Sequence, residues 1–257
     1  PPPRYTLFPY TTLFRSGQDF SGRTALVTGA ASGIGEACAQ WLCAKGIERL
    51  VLVDVDGARL DGLAFSCTTI RHAGSVADEA LWDKVEAETG PLHHAVINAG
   101  IADGAPIVSQ SLDGWRAMHK VNLEGAFLSL RAALRLMAAT SGERSVVLTS
   151  STAGVKPLAG TSAYGTTKAA VAHLAKVAAL EHPDIRINAI APGRVQTPIW
   201  TKTAQFRAMV EQYGSDDAAM AALVAEVSTN ERVAQAEDMA EQIGFLLSDA
   251  AWTITGQ

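Results

Sequence analysis

Residues 23–36 read RTALVTGAASGIGE, and this stretch decides the fold. A short apolar strand runs into a glycine-rich turn, and a helix follows. Glycines in such a turn let the backbone approach a pyrophosphate, which binds at the positive N-terminus of the helix. The next strand ends on Asp54, where a carboxylate can accept hydrogen bonds from an adenosine ribose. Strand, turn, helix, strand and acid in this order predict a dinucleotide-binding unit rather than a tight turn of purely structural use.

Apolar strands and helical stretches alternate along the rest of the chain. This alternation predicts one α/β domain of the Rossmann type, with a doubly wound parallel sheet covered on both faces and ligands at the carboxyl ends of its strands. Two of the predicted helices are long, at residues 112–137 and 163–180. The predicted strands are 24–28, 50–54, 95–98, 146–150 and 186–190.

Asp54 also predicts which dinucleotide binds. A 2'-phosphate beside its carboxylate would meet like-charge repulsion. Ser32, directly before Gly33, is neutral where a phosphate-binding chain would carry Arg or Lys. Arg59 is near in sequence, but it would have to fold back past Asp54 to reach a phosphate. The sequence therefore predicts NAD(H) rather than NADP(H).

A second group of residues could move protons without a metal. Tyr164 and Lys168 lie four residues apart, so on a helix they share one face. A neighbouring ammonium lowers the pKa of a phenol from its usual value near ~10 towards the range in which general acid–base catalysis works. Ser151 could hydrogen-bond the substrate oxygen. A Tyr–Lys pair at this spacing is common on surface helices. It indicates a catalytic site here because the chain also carries the glycine-rich unit.

These motifs together resemble the short-chain dehydrogenase/reductase family, and the resemblance runs from about Phe20 to the last residue. Residues 28–35 fit its TGxxxGIG motif, and residues 98–100 fit its NAG motif. Asn122, between Val121 and Leu123, fits its helix asparagine, and residues 192–197 fit its PGxxxT segment. Ser151, Tyr164 and Lys168 fit its catalytic set.

The resemblance implies a role for each matching residue. Tyr164 would exchange the hydroxyl proton, Lys168 would lower its pKa and bind the nicotinamide ribose, and Ser151 would orient the substrate oxygen. Asn122 would hold a water that relays protons, unless its amide serves only to bridge backbone groups. The other implied cofactor contacts are Gly29, Ser32, Gly33, Ile34 and Gly35 at the diphosphate, Asp54 at the ribose, Ser75 and Val76 at the adenine, Asn98, Ala99 and Gly100 on the adenosine side, and Pro192, Gly193, Val195 and Thr197 near the nicotinamide carboxamide. Ser75 stands where relatives usually carry Asp, which weakens the expected adenine contact.

Composition bounds the class of protein. At 257 residues and 48% hydrophobic content, one large domain can bury a substantial core. A net charge of -5 without a basic stripe argues against nucleic acid, and no apolar run reaches membrane-spanning length. The three cysteines predict no disulfide framework and no zinc site, with packing roles for Cys38 and Cys43, and the six histidines form no metal-ligand pattern. We expect a metal-free cytoplasmic enzyme.

The two ends of the chain differ from the rest. Residues 6–16 match one reading frame of a common sequencing-adapter oligonucleotide. We therefore expect residues 1–16 to be a translated adapter, the alternative being a genuine flexible extension, and residues 17–257 to form the domain. Residues 253–257 resemble the run that leads into the final strand of the family. We expect the domain to lack this edge strand and to be less stable than a version that carries it.

Substrate and assembly are predicted in outline. An Ala- and Met-rich segment at about 198–231 predicts a two-helix lid that excludes water during hydride transfer. Its few charges favour a moderately apolar secondary alcohol or ketone, including cyclic ones. Lys202 and Arg207 could meet an anionic substrate or be solvated. The resemblance implies that the long helices pair across a two-fold axis in a homodimer or homotetramer, unless each is buried within its own subunit.

The predicted function is an NAD(H)-dependent oxidoreductase that interconverts a secondary alcohol and a ketone. Two alternatives stay open. One is a non-catalytic dinucleotide-sensing protein on the same fold, because fold alone does not give function. The other is an inactive truncated product. The complete set of proton-transfer residues argues against a sensor.

Overall fold

A six-stranded parallel sheet forms the centre of the protein. The computed structural model describes residues 18–201, 203–225 and 234–257, so the predicted extension at residues 1–16 lies outside the described residues. The strands of this sheet are β1 (Thr24–Thr28), β2 (Arg49–Asp54), β3 (Thr68–Ala73), β4 (His94–Ile97), β5 (Ser145–Thr149) and β6 (Arg186–Ile190). Their order is β3-β2-β1-β4-β5-β6, the doubly wound arrangement that places a ligand crevice where the strand order reverses.

Helices follow the strands and cover both faces of the sheet. A separate small sheet pairs β7 (Val195–Gln196) with β8 (Ala234–Gln235). Among the described residues, no helix combines the length and the apolar character needed to cross a membrane. The helices are α1 (Gly33–Ala44), α2 (Gly57–Gly62), α3 (Glu79–Thr89), α4 (Leu112–His119), α5 (Gly125–Ala138), α6 (Ser162–Glu181), α7 (Pro198–Thr201), α8 (Ala204–Tyr213), α9 (Asp216–Ala225) and α10 (Ala236–Leu247).

The core consists of two apolar layers, one on each face of the sheet. Successive side chains of a strand point to opposite faces, so Leu26 belongs to one layer and Val27 to the other. The Leu26 layer packs against α3, α5 and α6, and the Val27 layer packs against α1 and α10. Every residue of β1, β4 and β5 is buried, which explains their nearly continuous apolar sequences.

The predicted fold class is confirmed, with one strand missed. The bounds of β1 and β6 agree with the prediction, and β2, β4 and β5 begin one residue earlier than predicted. The edge strand β3 was not predicted, because its sequence TTIRHA is polar and most of its residues are partly or fully exposed. The helix predicted at residues 163–180 corresponds to α6.

A π-helical segment, Lys120–Glu124, joins α4 to α5, where the sequence predicted one uninterrupted helix. Apolar periodicity does not reveal such a segment, because the helix continues on both sides of it. Asn122 lies in this segment and is buried. Single-turn π segments are rare and often occur at functional sites.

Arg186 joins the end of α10 to β6. The last four carbonyl groups of a helix have no partner within the helix. The Arg186 guanidinium donates hydrogen bonds to the carbonyl oxygens of Leu246, Leu247, Ser248 and Ala251, at distances between 2.6 and 3.2 Å. Leu246 and Leu247 are the last two residues of α10, so one buried side chain satisfies their carbonyl groups together with two from the segment that follows.

The last residues of the chain lie against β6. The Gly256 N–H donates to the Ile187 carbonyl oxygen at 2.8 Å, and the Ala189 N–H donates to the Gln257 carbonyl oxygen at 2.7 Å. The Asn188 amide donates to the carbonyl oxygen of Ile254 at 2.9 Å. The effect of a further strand on stability stays a prediction.

His94 is fully buried at the start of β4. Its Nδ1 lies 2.8 Å from the Ser145 Oγ, and the Ser145 hydroxyl donates to the Leu247 carbonyl oxygen at 2.8 Å. Nδ1 must therefore carry the ring proton. Its Nε2 then accepts from Nη1 of Arg23, 3.4 Å away, so the ring is neutral.

This arrangement couples stability to pH. Burial, and then the charges of Arg23, His93 and Arg186, hold the pKa of His94 well below its ordinary value of 6.5. The unfolded chain binds the proton more readily than the folded chain does. Neutral His94 therefore makes its full contribution to the free energy of unfolding above about pH 6.5. This contribution falls as the pH drops below that value, by up to ~1.4 kcal/mol per pH unit.

Urea unfolding between about pH 7.5 and about pH 5.5 measures this dependence. We expect His94→Gln to reduce the slope of unfolding free energy against pH. Exposed His173 on α6 provides the control, and His173→Gln should keep the wild-type slope. The same slope in all three proteins would show that His94 does not contribute.

Candidate active site

A cavity of about 360 Å³ opens at the carboxyl ends of the parallel strands. Of the predicted site residues, only Gly35 and Asn122 do not line it. The predicted residues that do line it are Gly29, Ser32, Gly33, Ile34, Asp54, Ser75, Val76, Asn98, Ala99, Gly100, Ser151, Tyr164, Lys168, Pro192, Gly193, Val195 and Thr197. The fold thus brings motifs that are up to 168 residues apart (Gly29 to Thr197) to one cleft.

The glycine-rich turn forms one wall of the cavity and admits no side chain at three positions. Gly29 and Gly33 have φ angles of +67° and +57°, in the left-handed region that favours glycine. A Cβ on Gly35 would lie 2.0 Å from the Gly29 carbonyl oxygen. The turn leads directly into the N-terminus of α1, with Ser32 as the extended N-cap residue. A bare backbone at a helix N-terminus suits the diphosphate of a dinucleotide.

Asp54 lies at the adjacent strand end and lines the same cavity. Its two carboxylate oxygens accept hydrogen bonds from the N–H groups of Ala31 and Asp56, each at 2.9 Å. An ionised carboxylate offers about four acceptor positions, so two are left for hydroxyl groups of a ligand. Arg59 is paired with Glu36 at 3.2 Å. The cation that the sequence analysis considered for a 2'-phosphate is therefore directed to another partner.

Thr28 connects the glycine-rich turn to the NAG motif. Its buried hydroxyl oxygen accepts from the N–H groups of Asn98 and Ala99, at 2.9 and 3.1 Å, and its carbonyl oxygen accepts from the Asn98 amide at 3.3 Å. Gly100 follows, and a Cβ there would lie 3.3 Å from the Lys168 Nζ. Thr28 belongs to the TGxxxGIG motif, yet the motif match predicted no individual role for it. The signal that could have revealed this role is a hydroxyl at the end of a strand with an apolar centre.

Ser75 and Val76 line the cavity after β3. The Ser75 Oγ accepts from the Ala77 N–H at 3.3 Å, which leaves its hydroxyl proton free to be donated. Val76 is buried against Gly125, where a Cβ would lie 2.5 Å from a Val76 methyl group. The adenine contact of this pair stays a prediction.

Residues 192–197 cross the cavity from β6 to the glycine-rich turn. The Thr152 N–H donates to the Pro192 carbonyl oxygen at 2.9 Å, which fixes this segment beside the end of β5. Thr197 lies opposite Gly33, where a Cβ would be 3.3 Å from its side chain. Val195 is buried and belongs to β7.

Ser151, Tyr164 and Lys168 meet on one side of the cavity. Ser151 is the second residue after the end of β5 and accepts from the Ala153 N–H at 3.2 Å, while Tyr164 and Lys168 share a face of α6. The Lys168 Nζ donates to the Thr149 carbonyl oxygen at 2.8 Å and lies 5.8 Å from the centre of the Tyr164 ring. The predicted proton-transfer residues are therefore neighbours in the structure.

The acidity of these groups differs from the expectation in one respect. Burial raises the pKa of Tyr164, and a hydrogen bond with Ser151 opposes this rise without cancelling it. Without a ligand the pKa of Tyr164 is thus raised, and its lowering by Lys168 stays a prediction. Burial lowers the pKa of Lys168 to about 8, because the charged ammonium is removed from water.

Asn122 has the bridging contacts that the sequence left open. Its Oδ1 accepts from the Ile101 N–H at 2.8 Å, and its Nδ2 donates to the Ile101 carbonyl oxygen at 2.9 Å and to the Thr167 Oγ1 at 3.4 Å. The side chain thus holds the loop after the NAG motif against α6. A proton-relay role for Asn122 stays a prediction.

The predicted lid is described in part. α8 and α9 follow the short helix α7 and pack through Phe206 and Ala219. Arg207 is exposed, whereas Lys202 and residues 226–231 lie outside the described residues. Ile199, which the sequence placed at the start of the lid, lines the cavity.

Comparisons with known proteins agree with this arrangement. A family model described as "Enoyl-(Acyl carrier protein) reductase" matches residues 29–257. The chain is 36% identical over 252 residues to cis-4-hydroxycyclohexanecarboxylate dehydrogenase from Sinomonas cyclohexanicum, covering 93% of this chain and 95% of the relative. It is 32% identical over 249 residues to cyclohexanol dehydrogenase from Acinetobacter sp. (strain SE19), covering 92% of each.

Solved structures give the same result. Levodione reductase superposes with a TM-score of 0.82 at 31% identity, over 92% of this chain and 95% of that one. L-Sorbose reductase from Gluconobacter frateurii, solved with NADPH and L-sorbose, superposes with a TM-score of 0.85 at 27% identity, over 93% and 95%. The chain therefore belongs to the short-chain dehydrogenase/reductase family of oxidoreductases.

Proposed function

We propose that the protein is an NAD(H)-dependent oxidoreductase that interconverts a secondary alcohol and a ketone. The observation that carries this proposal is that Ser151, Tyr164 and buried Lys168 line one cavity whose other wall is a bare glycine backbone. The glycine-rich turn forms a backbone cradle, which would lose its shape if Gly29 or Gly35 carried a side chain. Such a bare backbone fits a dinucleotide diphosphate.

Each side chain has a proposed role in proton transfer. Tyr164 takes the hydroxyl proton during oxidation and returns it during reduction, and Ser151 holds the substrate oxygen by a hydrogen bond. Lys168 holds a positive charge near the phenol and binds ribose hydroxyls. Asn122 keeps the loop at Ile101 in place and is the proposed link of a proton relay to Lys168.

Bound NAD would supply the hydride acceptor, and its oxidised ring would add a positive charge to the cleft. Positive charge near a phenol favours the phenolate, so the pKa of Tyr164 should fall from its raised value when the cleft is filled by a cation. The remaining acceptor positions of Asp54 fit ribose hydroxyls.

The choice of cofactor can be tested at Asp54. Asp54→Asn removes the negative charge that would accept from ribose hydroxyls and repel a 2'-phosphate. Hydrogen bonds to charged groups contribute about 1.5–3 kcal/mol, so we expect the ratio of kcat/KM for NAD to that for NADP to fall about 10- to 100-fold. Initial rates with both cofactors measure this ratio.

Asp56 provides a matched control. Asp56 caps α2 by accepting from the Arg59 N–H at 3.0 Å, and Asn caps helices about as well as Asp. Asp56→Asn should therefore leave the cofactor ratio unchanged. An equal ratio in wild type and Asp54→Asn would refute NAD selection by Asp54.

Alicyclic secondary alcohols are the proposed substrates. Apolar Ile101, Ala102 and Ile199, which are not among the proposed cofactor contacts, line the cavity. Two relatives at 36% and 32% identity are named for dehydrogenation of hydroxylated cyclohexanes.

A screen of NADH absorbance with cyclic and open-chain alcohols and ketones tests the function directly. Thermal stabilisation by NAD without turnover would favour the sensing protein, and no binding of NAD would favour an inactive product.

The proposed assembly is a homodimer or homotetramer through α5 and α6. Phe127, Val177 and Leu180 on these helices are 48%, 37% and 84% exposed, so they provide apolar surface for a second copy.

The proposed location is the cytoplasm, since Cys38, Cys43 and Cys67 are all free thiols, which is typical of reducing compartments.

A further inference from the structure

Two cysteines meet at the end of α1 that lies away from the cavity. Cys43 is in the last turn of α1, and Cys67 directly precedes β3. The Cys67 N–H donates to the Cys43 Sγ at 3.1 Å, and the Ser66 Oγ lies 3.3 Å from the same sulfur. The chain segments that carry these thiols are 24 residues apart in sequence, so only the fold brings them together.

The surroundings of Cys43 favour its thiolate. Burial raises the pKa of Cys43, but hydrogen bonds from the Cys67 and Ser66 groups outweigh burial, so that the pKa lies below the ordinary value. Burial and the interaction with Cys43 raise the pKa of Cys67 to about 12. The thiolate is the nucleophilic form of cysteine. Cys43 is therefore the attacking thiol of the pair.

The pair lies close to the surface. Cys43 is 9% exposed, Cys67 is partly exposed and Ser66 is exposed. The Cys67 sulfur is three bonds from an amide nitrogen that already contacts the Cys43 Sγ, so the two side chains start from neighbouring positions. Cys38, on the same helix, is 1% exposed and has a raised pKa, which makes it unreactive.

We propose that Cys43 and Cys67 form an oxidation site, in which Cys43 reacts with a hydroperoxide and Cys67 then closes a disulfide between α1 and β3. The Cys43 thiolate attacks the terminal peroxide oxygen, the O–O bond breaks, and hydroxide or an alkoxide leaves. The Cys67 sulfur then attacks the Cys43 sulfenic acid, forming the S–S bond and releasing water with the thiol proton. The two thiols lose two electrons, and the hydroperoxide gains them.

The bond should stabilise the fold and spare the active site. A cross-link over this loop restricts the unfolded chain, and for a protein of this size we expect Tm to rise by roughly 10 °C. Cys43 is ten residues along α1 from Gly33, which corresponds to about 15 Å at 1.5 Å per residue. We therefore expect kcat/KM to change less than about twofold when the bond forms.

The test uses the whole protein treated with hydrogen peroxide. Free thiols are alkylated, and peptides are mapped by mass spectrometry with and without reductant. We expect one intramolecular Cys43–Cys67 disulfide, an unmodified Cys38, and a Tm that rises on oxidation and returns on reduction. Disulfides only between separate chains, or oxidation of Cys38 as fast as Cys43, would overturn the proposal.

Two single variants separate the roles of the thiols. Cys67→Ser should accumulate sulfenic acid at Cys43, which dimedone traps, whereas Cys43→Ser should give no sulfenic acid at Cys67. Neither variant should show a rise in Tm on peroxide treatment. Sulfenic acid at Cys67 in the Cys43→Ser variant would contradict the assignment of Cys43 as the nucleophile. The peptide map of the wild type decides the case even if a variant folds poorly.

Discussion

Replacing Tyr164 by Phe is expected to lower kcat/KM for an alcohol substrate by about 10²- to 10⁴-fold, the range for loss of a general acid–base group. The ring stays in place beside Ser151 and Lys168, while the hydroxyl that we propose exchanges a proton with the substrate oxygen is removed. Binding of NAD should change little, because the glycine-rich turn and Asp54 are untouched. Steady-state rates and thermal stabilisation by NAD measure the two effects separately.

A neighbouring hydroxyl on the same helix serves as the control. Thr166 is exposed on α6 and donates only to the Ser162 carbonyl oxygen and, more weakly, to that of Ala163. Thr166→Val removes this hydroxyl at nearly constant shape, and we expect its kcat/KM to stay within about threefold of wild type. If Tyr164→Phe kept wild-type turnover, proton transfer by Tyr164 would be excluded.

Replacing Gly35 by Ala is expected to destabilise the protein by about 3 kcal/mol or more and to abolish stabilisation by NAD. The added Cβ would lie 2.0 Å from the Gly29 carbonyl oxygen and 2.7 Å from the Gly29 carbonyl carbon. Backbone atoms cannot rotate away as a side chain can, so α1 must move from the turn and distort the cradle. Urea unfolding and Tm with and without NAD measure both consequences.

Gly62 offers a matched substitution. It is the last residue of α2, and a Cβ there would meet nothing within 4 Å. Gly62→Ala should be neutral or stabilising by about 0.4–1 kcal/mol, because it restricts only the unfolded chain. Equal stability of the Gly35→Ala and Gly62→Ala proteins would show that the turn tolerates a side chain.

Local patterns in the sequence were sufficient for most of the fold. Strand β1 (TALVT) is fully buried with an apolar centre, strand β6 (RINAI) is mostly buried, and the limits of both were predicted from the sequence. The glycine-rich turn was predictable because the left-handed backbone conformation found at Gly29 and Gly33 strongly favours glycine. Edge strand β3 could not be predicted from apolar sequence. It has a neighbouring strand on only one side, and such a strand needs few apolar residues.

The parts of the site that were missed depend on contacts between distant segments. The Thr149 carbonyl oxygen that accepts from Lys168 is a backbone group, and no residue type encodes it. The raised pKa of Tyr164 results from burial by the assembled cleft, whereas the sequence showed only the nearby cation. The approach of Cys43 to Cys67 likewise requires β2 and β3 to be paired, which periodicity along one segment does not report.

The four carbonyl groups held by Arg186 have a consequence for the order of assembly. Their donor and acceptors are 60 to 65 residues apart, so closing these bonds carries a large loss of chain entropy. The sheet must already present Arg186 before α10 can dock, which makes this docking a late event in folding. Once it is complete, α10 cannot separate from β6 without exposing a cation and four acceptors together, so we expect α10 to open only when the whole domain does.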